Sequence, residues 1–507
     1  MASTTESDVP PLWRDRSFWG MTITQFLGAF NDNLFKQTIL LFCIDLYLAG
    51  GTNHQTTATG LFSLAFVLFS GFAGYLADKY SKRKIIVLCK VAEIVVMLLG
   101  LLAFAVGVWV PGPLLWMLIV VLCCMGIQSA FFGPSKYGIL PEMLHNDDLP
   151  QANGLIQMTT FVAIIMGTAL AGYGKESSEG ALWVIGLFCV IIAVVGTLTS
   201  LLIRRTPIAK PDLQFQPSAM VMTPSTRKML WGDKLLLSVL LISSLFWFVG
   251  GAVLMAVNLL GKELMQLGDG RTSILSACMG AGIGIGCLLA GRLSHQQINF
   301  KLVRNGAWGI AGFLMLVPLM GQYSVLPLPA SSELVAAQTE EQSVTADTEI
   351  EPITNTDGVV AEDDALTAYW KSESLWDKMI PINFWEFATR FSLMGVGLFA
   401  GLFAVPLQTF MQSRPPADQK GQMIGAMNLI NWIGILLSAI FLGVMDSILM
   451  KAGLSQKWIF PILAVMMIPV ALFFKPSSEK LSHSVTPRAS EPATNPDNAS
   501  ENAEPNS

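Results

Sequence analysis

Apolar stretches long enough to cross a bilayer alternate along the chain with shorter polar connections. They cover roughly 18–48, 57–77, 84–108, 113–133, 151–174 and 180–203. After a longer polar connection they resume at roughly 234–260, 271–291, 303–323, 384–411, 422–447 and 456–474. A spanning helix needs about 20 apolar residues, so the pattern predicts twelve transmembrane helices with both termini on one side. The first run is unlike the others, because Asn31, Asp32, Asn33 and Lys36 fall near its centre. An ionised side chain there costs at least ~2.5–3.5 kcal/mol on insertion scales. At about 100° per residue, Gln25, Gly28, Ala29, Asp32 and Lys36 share one face, and Asp32 and Lys36 form an i,i+4 pair. That face is predicted to pack inside the protein or to line a polar path through it.

Composition agrees with the pattern. Of 507 residues, 52% are hydrophobic and 13% charged, against about 25% charged in soluble domains. Mean hydropathy is +0.55. The class is an all-α integral membrane protein. The seven cysteines lie in apolar runs without a CxxC pair, and the four histidines form no ligand cluster. No metal, cofactor or nucleic-acid partner is expected. Glu6, Asp8 and the length of the first run argue against a cleavable signal peptide. Lys and Arg crowd the loops on the side of the termini: Arg14 and Arg16, Lys79 to Lys84, Lys136, Arg204 to Lys228, Arg292, Lys301, Arg414 and Lys420. The opposite loops offer Lys175, Lys262, Arg271, Lys451 and Lys457. By the positive-inside rule both termini are expected in the cytoplasm.

The predicted organisation is a cytoplasmic N-terminus over 1–17 and a six-helix bundle over 18–203. A proline-rich cytoplasmic linker follows over 204–233, then a second six-helix bundle over 234–474 and a tail over 475–507. An external insertion at 324–383 carries twelve acidic residues against Lys371 and Lys378, so without it the formal charge of −5 becomes +5. Its composition, like that of the tail, predicts disorder.

The two bundles resemble each other. GYLADKYSKRK (Gly74–Lys84) recurs as GRLSHQQINFK (Gly291–Lys301), 217 positions later, and ANGLIQ (Ala152–Gln157) as AMNLIN (Ala426–Asn431), 274 positions later. The difference of 57 is about the size of the acidic insertion between them. A duplicated six-span unit implies a site at mid-membrane between the halves, reached from each side in turn.

The stretch Gly74–Lys84, with G-x-L-x-D ahead of its cations, resembles the loop between the second and third helices of the major facilitator superfamily. The resemblance implies the two-bundle fold, close packing at Gly74 and a contact of Asp78 with the eleventh helix in the outward-open state. Lys82 and Arg83 take the motif's basic positions, and Ser81 stands where it has glycine. More narrowly, TQFLGAFNDNLFK (Thr24–Lys36), FFGPSKYGILPE (Phe131–Glu142), NGLIQMTTF (Asn153–Phe161) and Gly401–Asn431 resemble the bacterial lysophospholipid transporters. These include the transporter part of fused acyltransferases. Gln157 replaces the glutamate expected in that block.

The resemblance implies a carrier that moves lysophospholipids such as lysophosphatidylethanolamine across the bacterial cytoplasmic membrane by alternating access. Its partners would be that substrate, membrane lipids and a separate acyltransferase. The candidate cavity residues are Gln25, Asp32, Asn33, Lys36, Lys136, Gln157, Glu386, Arg390, Asn428 and Asn431; the candidate gating loop is Gly74, Asp78, Lys82 and Arg83. Glu386 and Arg390, an i,i+4 pair, serve either to hold their helix in the bundle or to bind a headgroup. Asn428 and Asn431 either face the cavity or bond between helices. Pro134 and Pro141 are expected to interrupt helix on either side of Lys136. A competing transport reading is a proton-coupled exporter of small amphipathic or apolar compounds with Asp32 as the proton site. An acyltransferase reading is disfavoured, because none of the four histidines is followed five residues on by Asp.

Overall fold

A computed structural model describes residues 10–49, 52–107, 113–144, 148–178, 181–206, 224–294, 297–321, 370, 373–414, 420–476 and 479–480. The middle of the expected linker, most of the insertion and most of the tail lie outside these residues. Twelve long helices are present among them: α1 (Arg16–Leu48), α2 (Gln55–Lys79), α3 (Lys82–Gly107), α4 (Leu114–Gly138), α5 (Leu149–Ser177) and α6 (Trp183–Ser200). The others are α7 (Lys234–Leu259, continued by a π-turn over Leu260–Leu264), α8 (Asp269–Ser294), α9 (Phe300–Gly321), α10 (Phe384–Ser413), α11 (Lys420–Lys451) and α12 (Ile459–Phe473). Each matches an apolar run in the sequence to within a few residues.

Local chemistry explains several starts. The carboxylate of Asp15 accepts the N–H groups of Ser17 and Phe18 at 2.8 and 3.4 Å and so caps α1. Asp233 does the same for α7, accepting from Leu235 and Leu236 at 3.1 Å. Asn383 caps α10 through Glu386 N–H at 2.8 Å. One expectation is corrected: Pro134 does not interrupt α4, which runs on to Gly138. Inside a membrane bundle, neighbouring helices re-satisfy the carbonyl that a proline frees. Pro141 does fall at the first turn of a separate short helix, Leu140–Met143, where its missing N–H is harmless.

Ten of the twelve helices are apolar and long enough to span a membrane by composition alone. α1 lies outside that set, and it buries Thr24, Gln25, Asn31, Gln37 and Thr38. The core forms two large apolar clusters. One draws on residues between Phe30 and Ala193, the other on residues between Leu230 and Ala471. Helices α1–α6 and α7–α12 thus make two groups, which meet along two seams, α2 with α11 and α5 with α8. The end of the bundle where α1 starts and α12 stops is called the terminal end below, and the opposite end the distal end. At the terminal end, Gln297–Ile298 (β1) pairs antiparallel with Glu479–Lys480 (β2).

Glycine sets the closest helix contacts. A Cβ at Gly282 or Gly286 of α8 would lie 2.1 Å from Met394 O or 2.0 Å from Leu398 O of α10. The backbones of α8 and α10 therefore touch, as they do in small-residue membrane packing.

Candidate functional site

The polar residues of α1 are spent on several separate contacts. Nearest the terminal end, the Gln25 amide donates to Thr159 Oγ1 of α5 at 2.7 Å and accepts from Thr160 Oγ1 at 2.7 Å. Lys136 Nζ of α4 donates to the same Thr160 hydroxyl at 3.1 Å, so Gln25 and Lys136 share one network.

Further along, Asn31 Nδ2 donates to Glu93 Oε1 of α3 at 3.0 Å, and Glu93 Oε2 pairs with Lys90 at 2.5 Å. Lys90 and Glu93 are each 1% exposed. The room for Lys90 comes from Gly28, where a Cβ would stand 2.4 Å from Nζ. Charges this deep persist only when paired and hydrogen-bonded.

Asp32 and Lys36 do not bond to each other. Asp32 Oδ2 accepts from Ser129 Oγ of α4 at 2.7 Å, and its Oδ1 is buried without a hydrogen-bond partner among the described residues. Lys36 has no ion-pair partner among the described residues; its Nζ lies 5.6 Å from the centre of the Phe62 ring of α2. Asn33 turns back to its own helix, donating to Ala29 O at 2.7 Å. A cation over an aromatic face, with a carboxylate one helical turn away, is an arrangement open to a zwitterion.

The seam between α2 and α11 holds an open groove of about 630 Å3. Leu61, Leu64, Leu436, Ile440 and Val444 line it, with Thr56, Ser447 and Lys451 at its distal end. In the same seam Trp432 of α11 stacks on Phe66 at 3.7 Å between centroids and meets Phe62 edge-on at 5.8 Å.

The second group contributes neutral polar atoms at this depth. Asn431 Oδ1 accepts from Ser243 Oγ of α7 at 3.1 Å, which makes it a helix–helix bond, while Asn428 is half-buried. Sequence reasoning missed Asn258 of α7. It accepts from Gln37 of α1 at 2.9 Å and donates to Gln55 of α2 at 3.2 Å, tying the two groups together.

The distal end is shut by charge. Lys175 at the end of α5 pairs with both Asp45 of α1 and Asp269 of α8. Lys262, after α7, pairs with the same two carboxylates at 3.0 and 2.8 Å. Each lysine therefore bridges one acid from either group. A Cβ at Gly172 would come within 2.1 Å of Asp269 O, so glycine lets α8 approach α5 here. Tyr47 of α1 accepts from Gln456 at 2.9 Å beside them. The sequence showed these lysines only as sparse loop charges, because no spacing rule links four residues from four helix ends.

Glu386 and Arg390 also lie at the distal end. They pair with each other at 2.5 Å, and their other side-chain bonds among the described residues go to Arg271 of α8 and to the backbone of residues 378–382, not to α1.

The terminal end is held within the first group. Lys82 pairs with Glu142, Arg204 pairs with Asp15, and Arg83 Nε and Nη2 donate to the carbonyls of Ile203 and Leu201 at 2.5 and 3.2 Å. A Cβ at Gly74 would meet nothing within 4 Å among the described residues. The side chains of Asp78 and Gln157 lie outside the described part of the structure.

Comparison with known proteins follows the same lines. Residues 18–335 match the family described as Major Facilitator Superfamily. The chain is similar to the lysophospholipid transporter LplT of Enterobacter sp. (strain 638), 27% identical over 342 residues, or 63% of this chain and 80% of that protein. It is similar to the LplT of Serratia proteamaculans (strain 568), 26% identical over 348 residues, or 65% of this chain and 82% of that protein. In shape it is similar to the nucleoside transporter NupG, with TM-score 0.58, 12% identity, and 90% of this chain and 98% of that one covered. The D-xylose–proton symporter gives TM-score 0.58 at 13% identity, with 91% and 98% covered. At those identities the structural likeness speaks for the fold.

Proposed function

The chain belongs to the Major Facilitator Superfamily, and on that premise we propose that it moves lysophospholipids across the bacterial cytoplasmic membrane by alternating access. Both termini lie in the cytoplasm in this reading, so the distal end is the outer one. The conformation described is then closed to the outside by the Asp45–Lys175–Asp269–Lys262 cluster. The two six-helix groups are the rocking units. The similarity to proteins named lysophospholipid transporters supports the substrate class.

The observation that carries the reading is the conjunction at α1 and α2. Lys36, without an acidic partner among the described residues, sits over Phe62 of α2, and the neighbouring Leu61 and Leu64 of that helix line an apolar groove of acyl-chain size. Lys36 suits the phosphate of a lysophosphatidylethanolamine headgroup, and Asp32 suits its ammonium. The groove takes the single acyl chain, where each buried methylene contributes about 0.8 kcal/mol. The chain is a carrier rather than an enzyme in this reading, and a separate acyltransferase consumes what it delivers.

The experiment is uptake of labelled lysophosphatidylethanolamine into vesicles containing the purified protein. Lys36→Ala is expected to lower uptake at least about tenfold, from loss of one charge-assisted contact of ~1.5–3 kcal/mol. Absence of protein-dependent uptake by the wild type would remove the substrate assignment.

A second reading, proton-coupled export of small amphipathic compounds, has one observation in its favour. The buried Oδ1 of Asp32 accepts no hydrogen bond from the described residues, as suits a carboxyl that carries a proton for part of a cycle. Under it, Asp32→Asn abolishes transport driven by a pH gradient; transport by that variant at the wild-type rate would discard it.

A further inference from the structure

We propose that the segment from Glu373 to Asn383, the end of the external insertion, is a latch that holds the outer ends of the two halves together. The inference rests on the alternating-access reading above and extends it to a part of the chain outside the bundle.

The segment is fastened to the second half by two arginines. Arg271 of α8 holds Glu373 through Nε and Nη2 at 2.8 and 2.7 Å, and donates to the carbonyls of Asp377 and Ile380 at 2.9 and 3.0 Å. Arg390 of α10 donates to the carbonyls of Met379 and Lys378 at 2.6 and 2.8 Å. Glu386 lies between both guanidinium groups and accepts the N–H of Ile382 at 2.8 Å. The short helix Leu375–Met379 ends here, and its last carbonyls, which have no partner within a helix, all meet arginine. Ser374 closes its other end with a capping box to Asp377. The segment is therefore rigid and rides with α8 and α10.

From that anchorage Lys378 crosses to the other half. Lys378 Nζ lies 2.5 Å from Glu176 Oε2 at the end of α5 and 5.4 Å from the centre of the Tyr173 ring. Lys378 is 1% exposed. Its seat exists because residues 268 and 270 are glycine. A Cβ at Gly268 would stand 2.1 Å from Glu176 Oε1 and 2.8 Å from Trp370 Cβ. One at Gly270 would stand 2.8 Å from Glu176 Oε2 and 2.9 Å from Lys378 Cδ. Between these glycines stands Asp269 of the charged cluster, so the latch and the cluster close on the same point. When α5 leaves α8, Glu176 and Lys378 part and both become hydrated. While the outer end is closed, neither tolerates loss of the other.

The logic of uncompensated charge provides the test. Nitroxides are placed at Leu48 and Leu454, exposed positions at the outer ends of the first and second halves, through unnatural amino-acid handles that leave the native cysteines in place. Distances are then measured by electron–electron resonance in lipid nanodiscs. The wild type is expected to show mainly the short, closed distance. Lys378→Met and Glu176→Leu each strand one charge in the closed state and are expected to raise the long-distance population roughly tenfold, a usual size for coupling between sites. The double variant strands none and is expected to lie closer to the wild type than either single one. A wild-type distribution in Lys378→Met, or a double variant that opens further than both singles, would overturn the latch. The readout needs no substrate. A response in a protein that fails to take up lysophospholipid leaves the latch standing and removes only the substrate reading.

Discussion

Two buried charge networks in this molecule use the same chemistry for opposite ends. Lys90 and Glu93 pair on one helix, bond Asn31 on a second, and lie wholly inside the first six-helix group. Asp45, Lys175, Lys262 and Asp269 come from four helix ends, and every lysine pairs with acids of both groups. In the first network, breaking a contact exposes it to nothing but protein. In the second, a rocking motion would carry each charge into water, where it is solvated. A buried ion pair is weak evidence for stability; its position relative to the moving boundary decides whether it holds the fold or sets a conformational balance.

Substitutions that strand one charge separate the two cases. Glu93→Ala leaves Lys90 buried and without its acid, and is expected to cost about 3–5 kcal/mol of stability. Thermal unfolding in detergent should show it as the largest loss among these variants, and Lys90→Met in the same chain should recover most of it. Survival of the single variant at wild-type stability would break the comparison.

Two glycines sharpen it without touching charge. Gly286→Ala forces a Cβ onto Leu398 O between helices of one group, and overpacking of this kind costs about 1–3 kcal/mol, again read in unfolding. Gly172→Ala forces a Cβ onto Asp269 O between groups. It should leave the unfolding temperature near the wild type and lengthen the Leu48–Leu454 distance, because the groups separate more readily than a group unfolds. A loss of stability from Gly172→Ala equal to that from Gly286→Ala would erase the distinction.

The smallest effect is expected at the link between Asp233 and Arg414, 2.9 Å long with side chains 25% and 43% exposed. Partial burial raises the Asp233 pKa, but the Leu236 N–H, Arg414 and the Leu235 N–H outweigh it and hold the carboxyl below its usual range. Asp233→Asn keeps a capping oxygen for α7 and loses only the exposed pair, about 0–1 kcal/mol. Unfolding curves should barely separate.

Most of the architecture was legible in the sequence, since a helix in lipid announces itself by length and apolarity. The polar face of α1 was legible for the complementary reason: Asp32 and Lys36 are too costly in hydrocarbon to be incidental. Their partners were not. Ser129 reaches Asp32 from α4, and Phe62 lies under Lys36 from α2; both contacts depend on helix rotation, which periodicity does not specify between helices. The Glu386–Arg390 pair could be read from its i,i+4 spacing, yet its use depends on carbonyls of a short helix that no pattern connects to it. The distal lysines were visible as charges and invisible as a cluster, for the pairing is made by the closure of two halves.

The stack of Trp432 on Phe66 has a mechanical consequence. At 1.5 Å per residue, Phe66 stands about 17 Å from the start of α2 and about 20 Å from its end. A pivot at this stack would divide α2 into two nearly equal arms. Tilting about such a pivot widens one mouth by about as much as it narrows the other, so the total space between the halves hardly changes. A passenger bound between the halves can then be handed from one mouth to the other without a wide aqueous channel ever standing open from face to face.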